Sequence, residues 1–404
     1  MVAAGFGIQL LCAGLLTQSF GAYVAVINEK VGWSKAELAA AFSLLQLVGG
    51  LISPVQGSLM DRVGPRAIMR IGVVIFAAGF VFLSQVHSLW LFYVAFIVIG
   101  IGFRLTGFFA LSVAVVNWFE RRRARALSTV GLGVAVGGLL VPVVAYSLEH
   151  AGWRPTALAS GVILLLVGLP LIQAIRHRPE DHGEVVDGRD YHPREEATVE
   201  IAPPEASNFT ASQALHTRAF WLISAGHGSA LLVVAAVNVH VISHLKDDLG
   251  YSVSHAALIV TLMTSMQVVG ILIGGTIGDR FDKRLISAIC MLMHMVGLLL
   301  VTYAVNLPMI IAFAVLHGLA WGTRGPLMQA IRADYFGRKS FGAIMGLSAL
   351  IVMIGQISGP LVAGILADTT GNYDLGFTVI AVLAGLASVF FLLAKRPVLS
   401  SEAA

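Results

Sequence analysis

Twelve separate runs of this chain are each long and apolar enough to cross a lipid bilayer, at roughly residues 3–28, 36–60, 67–86, 88–118, 126–148, 155–175, 219–245, 254–278, 285–305, 308–335, 341–367 and 375–394. A crossing takes about 20 apolar residues, and several runs exceed that, which tilt accommodates. Inside hydrocarbon every backbone amide must be satisfied within the protein, so runs of this length can only be helices. The expected fold class is therefore an all-α membrane protein with twelve transmembrane helices. Only 12% of the 404 residues are charged. A water-facing domain carries about 25%, so most of this surface must face lipid. The first run, Val2 to Ile27, has no basic segment ahead of it. It reads as a spanning helix rather than a cleaved signal. Cys12 and Cys290 both lie in apolar runs, which argues against a disulfide framework or a zinc site.

Charge placement orients the runs. With both termini in the cytoplasm, 20 of the 26 Lys and Arg residues fall inside, 4 outside and 2 within the membrane. The inside group includes Arg332, Arg338 and Lys339 at the cytoplasmic end of the tenth run. So strong a bias predicts a multi-pass protein of the cell (inner) membrane with cytoplasmic termini. It also accounts for the pI near 9.2 without nucleic acid.

A shift of 218 residues superposes Gly32 on Gly250, Ser34 on Ser252, Gly57 on Gly275 and Asp61-Arg62 on Asp279-Arg280. It also superposes Arg66 on Arg284, Gly137 on Gly355 and Pro142 on Pro360. Eight special positions at one shift indicate two six-helix repeats in the same orientation. The expected domains are an N-terminal half at 1–175, a linker at 176–216, a C-terminal half at 217–396 and a tail at 397–404. The linker is rich in Glu, Asp and Pro, which predicts partial disorder. Near its end, Thr210-Ala-Ser-Gln213 has the spacing of a capping box and predicts a short surface helix.

The loop after the second run reads GSLMDRVGPR, Gly57 to Arg66, and GTIGDRFDKR repeats it at Gly275 to Arg284. This doubled signature resembles that of the major facilitator superfamily. The resemblance implies two pseudo-symmetric halves that alternate in access. It also implies that Asp61, Arg62 and Arg66, with Asp279, Arg280 and Arg284, steady one conformation. Chemically, Asp61 can meet either a helix N-terminus or an arginine. The plain alternative is a tight turn with a solvated charge pair.

Within the superfamily, three stretches resemble the oxalate–formate antiporter and monocarboxylate transporter branch. They are NWFERRRARALSTVGLG from Asn117, AGWRP from Ala151 and VNVHVISHLKDDLGYS from Val237. Those families place cationic binding residues in helix 8 or 11, whereas here neither helix has a charge within the membrane. Their site therefore does not carry over.

Arg104 and Arg324 are the two intramembrane cations, near the middles of helices 4 and 10. The resemblance implies that helices 1, 4, 7 and 10 line a central cavity. Inserting an arginine costs about 3 kcal/mol, so a functional role is the first expectation. No Asp or Glu lies within a span interior to neutralise either one. A second reading exists for Arg104, since Arg104-Leu-Thr-Gly107 distantly resembles a helix-4 motif of drug–proton antiporters, one residue short. His317, Trp321 and Arg324 share one helical face at spacings of four and three. Packing and a carbonyl bond explain the Trp and His equally well. His227 and Asn238, three turns apart, share a face of helix 7. Gln18 with Gly14 and Gly21 gives helix 1 a small polar face. His240, His244 and His294 are expected to be structural.

The candidate substrate-binding set is thus Arg104, Arg324, His317, Trp321, Asn238 and Gln18, with His227 and His317 as possible proton-linked groups. No nucleotide loop, Cys/His cluster or other enzyme signature is present, and no cofactor or metal is expected. The expected function is secondary transport of small organic anions, mono- or dicarboxylates, by anion exchange. The alternatives are proton-coupled symport, export of hydrophobic compounds, and a non-transporting receptor on the same scaffold. Expected partners are a small anion and the bilayer, with no nucleic acid and no obligate protein; a monomer is expected.

Overall fold

A computed structural model describes residues 1–33, 35–188 and 208–398. Every regular element among them is helical. Twelve helices are long and apolar enough to span a membrane: α1 Val2–Val24, α2 Ala40–Val63, α3 Pro65–Ser84, α4 Leu89–Trp118, α5 Arg123–His150 and α6 Trp153–Gln173, then α7 Arg218–Asp248, α8 Leu258–Ile277, α9 Lys283–Thr302, α10 Leu307–Phe336, α11 Phe341–Thr370 and α12 Asp374–Leu393.

Local chemistry sets their ends. Side chains of Ser88, Thr217, Asp282 and Asn306 accept from backbone amides at the starts of α4, α7, α9 and α10. Each satisfies a donor that a helix start leaves without an internal partner. Gly371, at φ 85°, ends α11 in the left-handed conformation that glycine adopts without strain.

The chain divides into two compact units. Unit 1 is Met1–Glu200 with Phe341–Gly346, and unit 2 is Ile201–Ser340 with Leu347–Ala404. The first six residues of α11 thus pack with unit 1.

Unit 1 is irregular in four of its spans. A π-helical turn at Ala13–Thr17 interrupts α1, and Ser19 Oγ donates to the Gly14 carbonyl there. A 3-10 turn at Gly138–Leu140 interrupts α5, and a π-helical turn at Leu164–Gly168 interrupts α6. Most consequential is α4, which breaks at Gly107 (φ −77°, ψ −158°) into Leu89–Thr106 and Phe108–Trp118. A side chain at Gly107 would come within 2.8 Å of the Phe103 carbonyl oxygen.

Unit 2 is more regular, with a π-helical turn only at His244–Asp248 among its described residues. Gly270 and Gly274 of α8 lie against the α10 backbone at Leu319 and Thr323. In return, Gly318 and Gly322 of α10 lie against Met263 and Gln267. Gly355 and Gly359 of α11 lie equally close to Gly228 and Leu232 of α7. Small residues allow this approach, and the resulting contact drives helix association in lipid.

Residues 176–188 are ordered against the turn between α4 and α5. Trp118 Nε1 donates to the Arg176 carbonyl at 3.2 Å and Asn117 Nδ2 to the His177 carbonyl at 3.1 Å. The Asp187 carboxylate accepts from the amides of Glu120 and Arg121, and Arg176 pairs with Glu184 at 2.8 Å. These bonds hold the first part of the linker against unit 1. Burial, together with Arg178 close by, holds the His177 imidazole below its usual range. The rest of the expected disorder, at 189–207, and the tail beyond 398 lie outside the described residues. At the linker's other end the capping box is formed: Thr210 and Gln213 cap each other's amides, opening the short helix Ala211–Leu215.

The exposed Glu180 offers a test of orientation. A single cysteine there, in a background lacking Cys12 and Cys290, is expected to react with an impermeant maleimide only after the cytoplasmic face is opened. Labelling in intact cells would reverse the expected topology.

Candidate functional site

The doubled loop motif acts differently in its two copies. In the first, Asp61 on α2 accepts from the amides of Gly342 and Ala343 at 2.8 Å each. Ser340, at the N-cap of α11, makes no side-chain cap of its own. Asp61 therefore supplies the anion that the unpaired amides and helix dipole favour. Of the two partners open to it, the helix N-terminus is the one it meets. The contact needs Gly57 and Gly342, which meet backbone to backbone. Arg66 donates to the Ile175 carbonyl beyond α6, while Arg62 is exposed. In the second copy, Arg284 pairs with Asp282 at 2.7 Å, and Asp282 Oδ1 caps the Arg284 amide at 2.8 Å. That ion pair holds the Asp282 carboxyl below its usual range. Arg280 is exposed.

The intramembrane arginines lie in different surroundings. Arg104 of unit 1 is half-buried one turn before the break in α4, and its Nε has no hydrogen-bond partner. Its side chain runs along Gly49 of α2, where a Cβ would come within 2.6 Å of Arg104 Cγ. Gln56 of the same helix donates to the Arg104 carbonyl at 2.8 Å.

Arg324 of unit 2 is sealed at 1% exposure, and neither its Nε nor its Nη1 has a hydrogen-bond partner. Helical side chains lean towards the N-terminus, which carries this guanidinium back along α10. Electrostatically it acts on Cys290 and His294 of α9 and on His317 of α10. His317 is fully buried, and its Nδ1 faces His294 Nδ1 at 3.2 Å. One ring of such a neutral pair donates and the other accepts, and both Nε2 atoms are left without partners.

The chain as a whole is similar to known proteins. The sequence profile of the Major Facilitator Superfamily matches residues 6–243 and 223–404. The chain belongs to this superfamily. It is 26% identical to a probable hexose phosphate transport protein of Chlamydia trachomatis, over 66% of this chain and 61% of that protein's length. It is also 26% identical to monocarboxylate transporter 13 of Bos taurus, covering 94% of this chain and 85% of the other. The fucose:proton symporter of E. coli superposes with a TM-score of 0.75 at 14% identity, covering 98% of each chain. This facilitator is accordingly a multi-pass membrane transporter and not an enzyme.

The remaining candidates on the facilitator scatter. Trp321 is half-buried, with its ring 6.5 Å from that of His317. Asn238 is exposed on α7. Gln18 is also exposed, and its Nε2 donates to the Val134 carbonyl of α5 at 3.3 Å. Gly14 packs against α5 at Gly137, whereas a side chain at Gly21 would enter open space. His240 bonds the Pro360 carbonyl and the Tyr373 hydroxyl. His244 is fully buried, with Nδ1 2.7 Å from Asp248 and Nε2 2.9 Å from the Val301 carbonyl. His244, Asp248 and Asp374 are close enough to suggest a metal. Both nitrogens of His244 are already engaged, so the trio reads as a structural clasp.

Arg332 is a clear miss. Expected among the cytoplasmic loop cations, it is only 1% exposed and lies inside α10, one turn before Phe336. It bonds His227 and Ser348, and Ser348 bonds Ser224. The signal was present: α10 has no turn residue until Gly337, so Arg332 still belongs to its helical face.

Proposed function

We propose that this facilitator carries small organic anions, mono- or dicarboxylates, by alternating access and in exchange for one another. Arg324 carries the reading. It is a sealed guanidinium with two nitrogens unpartnered, and no carboxylate of the described residues acts on it. A buried cation without a counter-charge is strongly unfavourable, so an anionic cargo is the partner that suits it. Arg104, also with an unpartnered Nε, is the corresponding cation of unit 1. Two relatives support the class, since their names specify a monocarboxylate and a hexose phosphate, both anions.

Exchange follows from the same charges. At ~4 Å and an effective dielectric of about 20, each arginine–anion contact is worth about 4 kcal/mol before desolvation. An empty carrier lacks that compensation and reorients reluctantly, so a second anion must load for the return.

Efflux from proteoliposomes preloaded with L-lactate or oxalate tests this. External substrate is expected to stimulate efflux at least several-fold, with little response to a pH gradient. Fast efflux into substrate-free buffer, or uptake driven by an inward proton gradient and lost in His317→Ala, would reject exchange in favour of proton symport. Binding without flux would identify a receptor.

A further inference from the structure

Arg332 spans three helices of unit 2. Nη1 donates to the Met328 carbonyl of its own helix at 2.8 Å. Nη2 donates to Ser348 Oγ of α11 at 2.7 Å and to His227 Nδ1 of α7 at 3.2 Å. The Ser348 hydroxyl is in turn 2.8 Å from that of Ser224, so the network touches α7 twice, one turn apart. Such a clasp fixes the ring as well as the helix.

Guanidinium nitrogens only donate, so His227 Nδ1 must offer its lone pair. A neutral imidazole has one N–H, and here it sits on Nε2, which makes no hydrogen bond among the described residues. Protonating Nδ1 would turn the acceptor into a donor facing a donor and set one cation against another. The charged groups acting on His227 are Arg332 and Arg324, both from α10, and no carboxylate of the described residues opposes them. From α11 the nearby group is the neutral Ser348, and α12 places Phe391 against the adjoining Gly226. His227 is half-buried, while Arg332 is sealed at 1% exposure.

We propose that Arg332 is a positioning residue that locks His227 as a neutral Nε2–H donor. Given the organic-anion reading, His227 then offers its cargo a fixed hydrogen bond and does not carry the proton in transport. This reverses the sequence expectation of a proton-linked His227.

Nitrogen NMR of the purified full-length protein, with histidine labelled at both ring nitrogens, tests the lock without any cargo. The His227 signal is identified by its loss in His227→Gln. In the unmodified protein it should show the Nε2–H neutral tautomer, unchanged from pH 5.5 to 8. A doubly protonated ring at pH 5.5, or the opposite tautomer, overturns the proposal, and this arm needs no variant of Arg332. In Arg332→Gln the donor that fixes Nδ1 is gone, so the ring should lose its single tautomer or gain a proton towards pH 5.5; no change there also overturns it. Exchange of lactate or oxalate should vary less than about 2-fold between pH 6 and 8 in the unmodified protein and more than about 5-fold in Arg332→Gln. Adding His227→Gln should abolish that dependence, and its persistence would place the titrating group elsewhere and reject the assignment. If neither anion is carried, the organic-anion reading fails while the NMR result still judges the lock.

Discussion

Replacing Arg324 with methionine is expected to weaken carboxylate binding by about 10–100-fold while leaving the protein at least as stable. The first half follows from removing hydrogen bonds to a charged group, each worth about 1.5–3 kcal/mol. The second follows from the native surroundings: Nε and Nη1 have no protein partner to lose. Exchanging an isolated buried charge for an apolar side chain of similar length is often neutral or stabilising. The combination separates the functional role from a structural one. A structural arginine would lower the melting temperature together with transport. Arg324→Lys should also bind poorly, because an ammonium keeps the charge without the planar fork that grips a carboxylate at both oxygens. Isothermal titration with lactate and oxalate, beside a thermal melt of each variant, checks both halves. Unchanged affinity in Arg324→Met would remove the central residue from the site.

Asp61→Asn is expected to slow transport by about 10-fold or more while changing substrate affinity less than about 3-fold. The two carboxylate oxygens accept from one amide each, and an asparagine keeps only one of those oxygens. Its amide group would then turn a donor towards the second N–H. The loss of one charge-assisted bond, about 1.5–3 kcal/mol, adds to the lost attraction between an anion and a helix N-terminus. That is enough to shift a conformational equilibrium by at least tenfold. An exposed charge pair would contribute only about 0–1 kcal/mol and leave flux nearly intact. Exchange rates and equilibrium binding measured on the same preparation distinguish these cases, and normal flux would return Asp61 to an ordinary turn.

The copies of the motif show how far a repeat in sequence predicts a repeat in structure. Asp61-Arg62 and Asp279-Arg280 align at a constant shift, as do Arg66 and Arg284. Even so, Arg66 reaches a backbone carbonyl beyond α6, while Arg284 folds back on Asp282. The difference arises because the position of Gly64 is occupied by Asp282 in the second copy, and a carboxylate competes for the neighbouring guanidinium. The intramembrane cations diverge in the same way. Arg104 lies along Gly49 in a helix that breaks at Gly107, whereas Arg324 lies in an unbroken helix beside the His294–His317 pair.

What the sequence determined by itself is whatever depends on summed or periodic properties. Twelve crossings follow from hydropathy, because the bilayer selects on length and average polarity rather than on particular contacts. The repeat follows from spacing, and the short helix Ala211–Leu215 from a capping pattern complete within four residues. Tertiary structure alone decided which polar atoms meet. Asp61 could have met an arginine, and it caps α11. His227 could have faced any neighbour on its helix face, and its Nδ1 lies 3.2 Å from Arg332. The ordered start of the linker depends on Trp118, Asn117 and the amides of Glu120 and Arg121, some 60 residues earlier in the chain. A hydrogen bond is decided within a few tenths of an ångström and by the direction of a donor. Hydropathy averages over about 20 residues and contains neither.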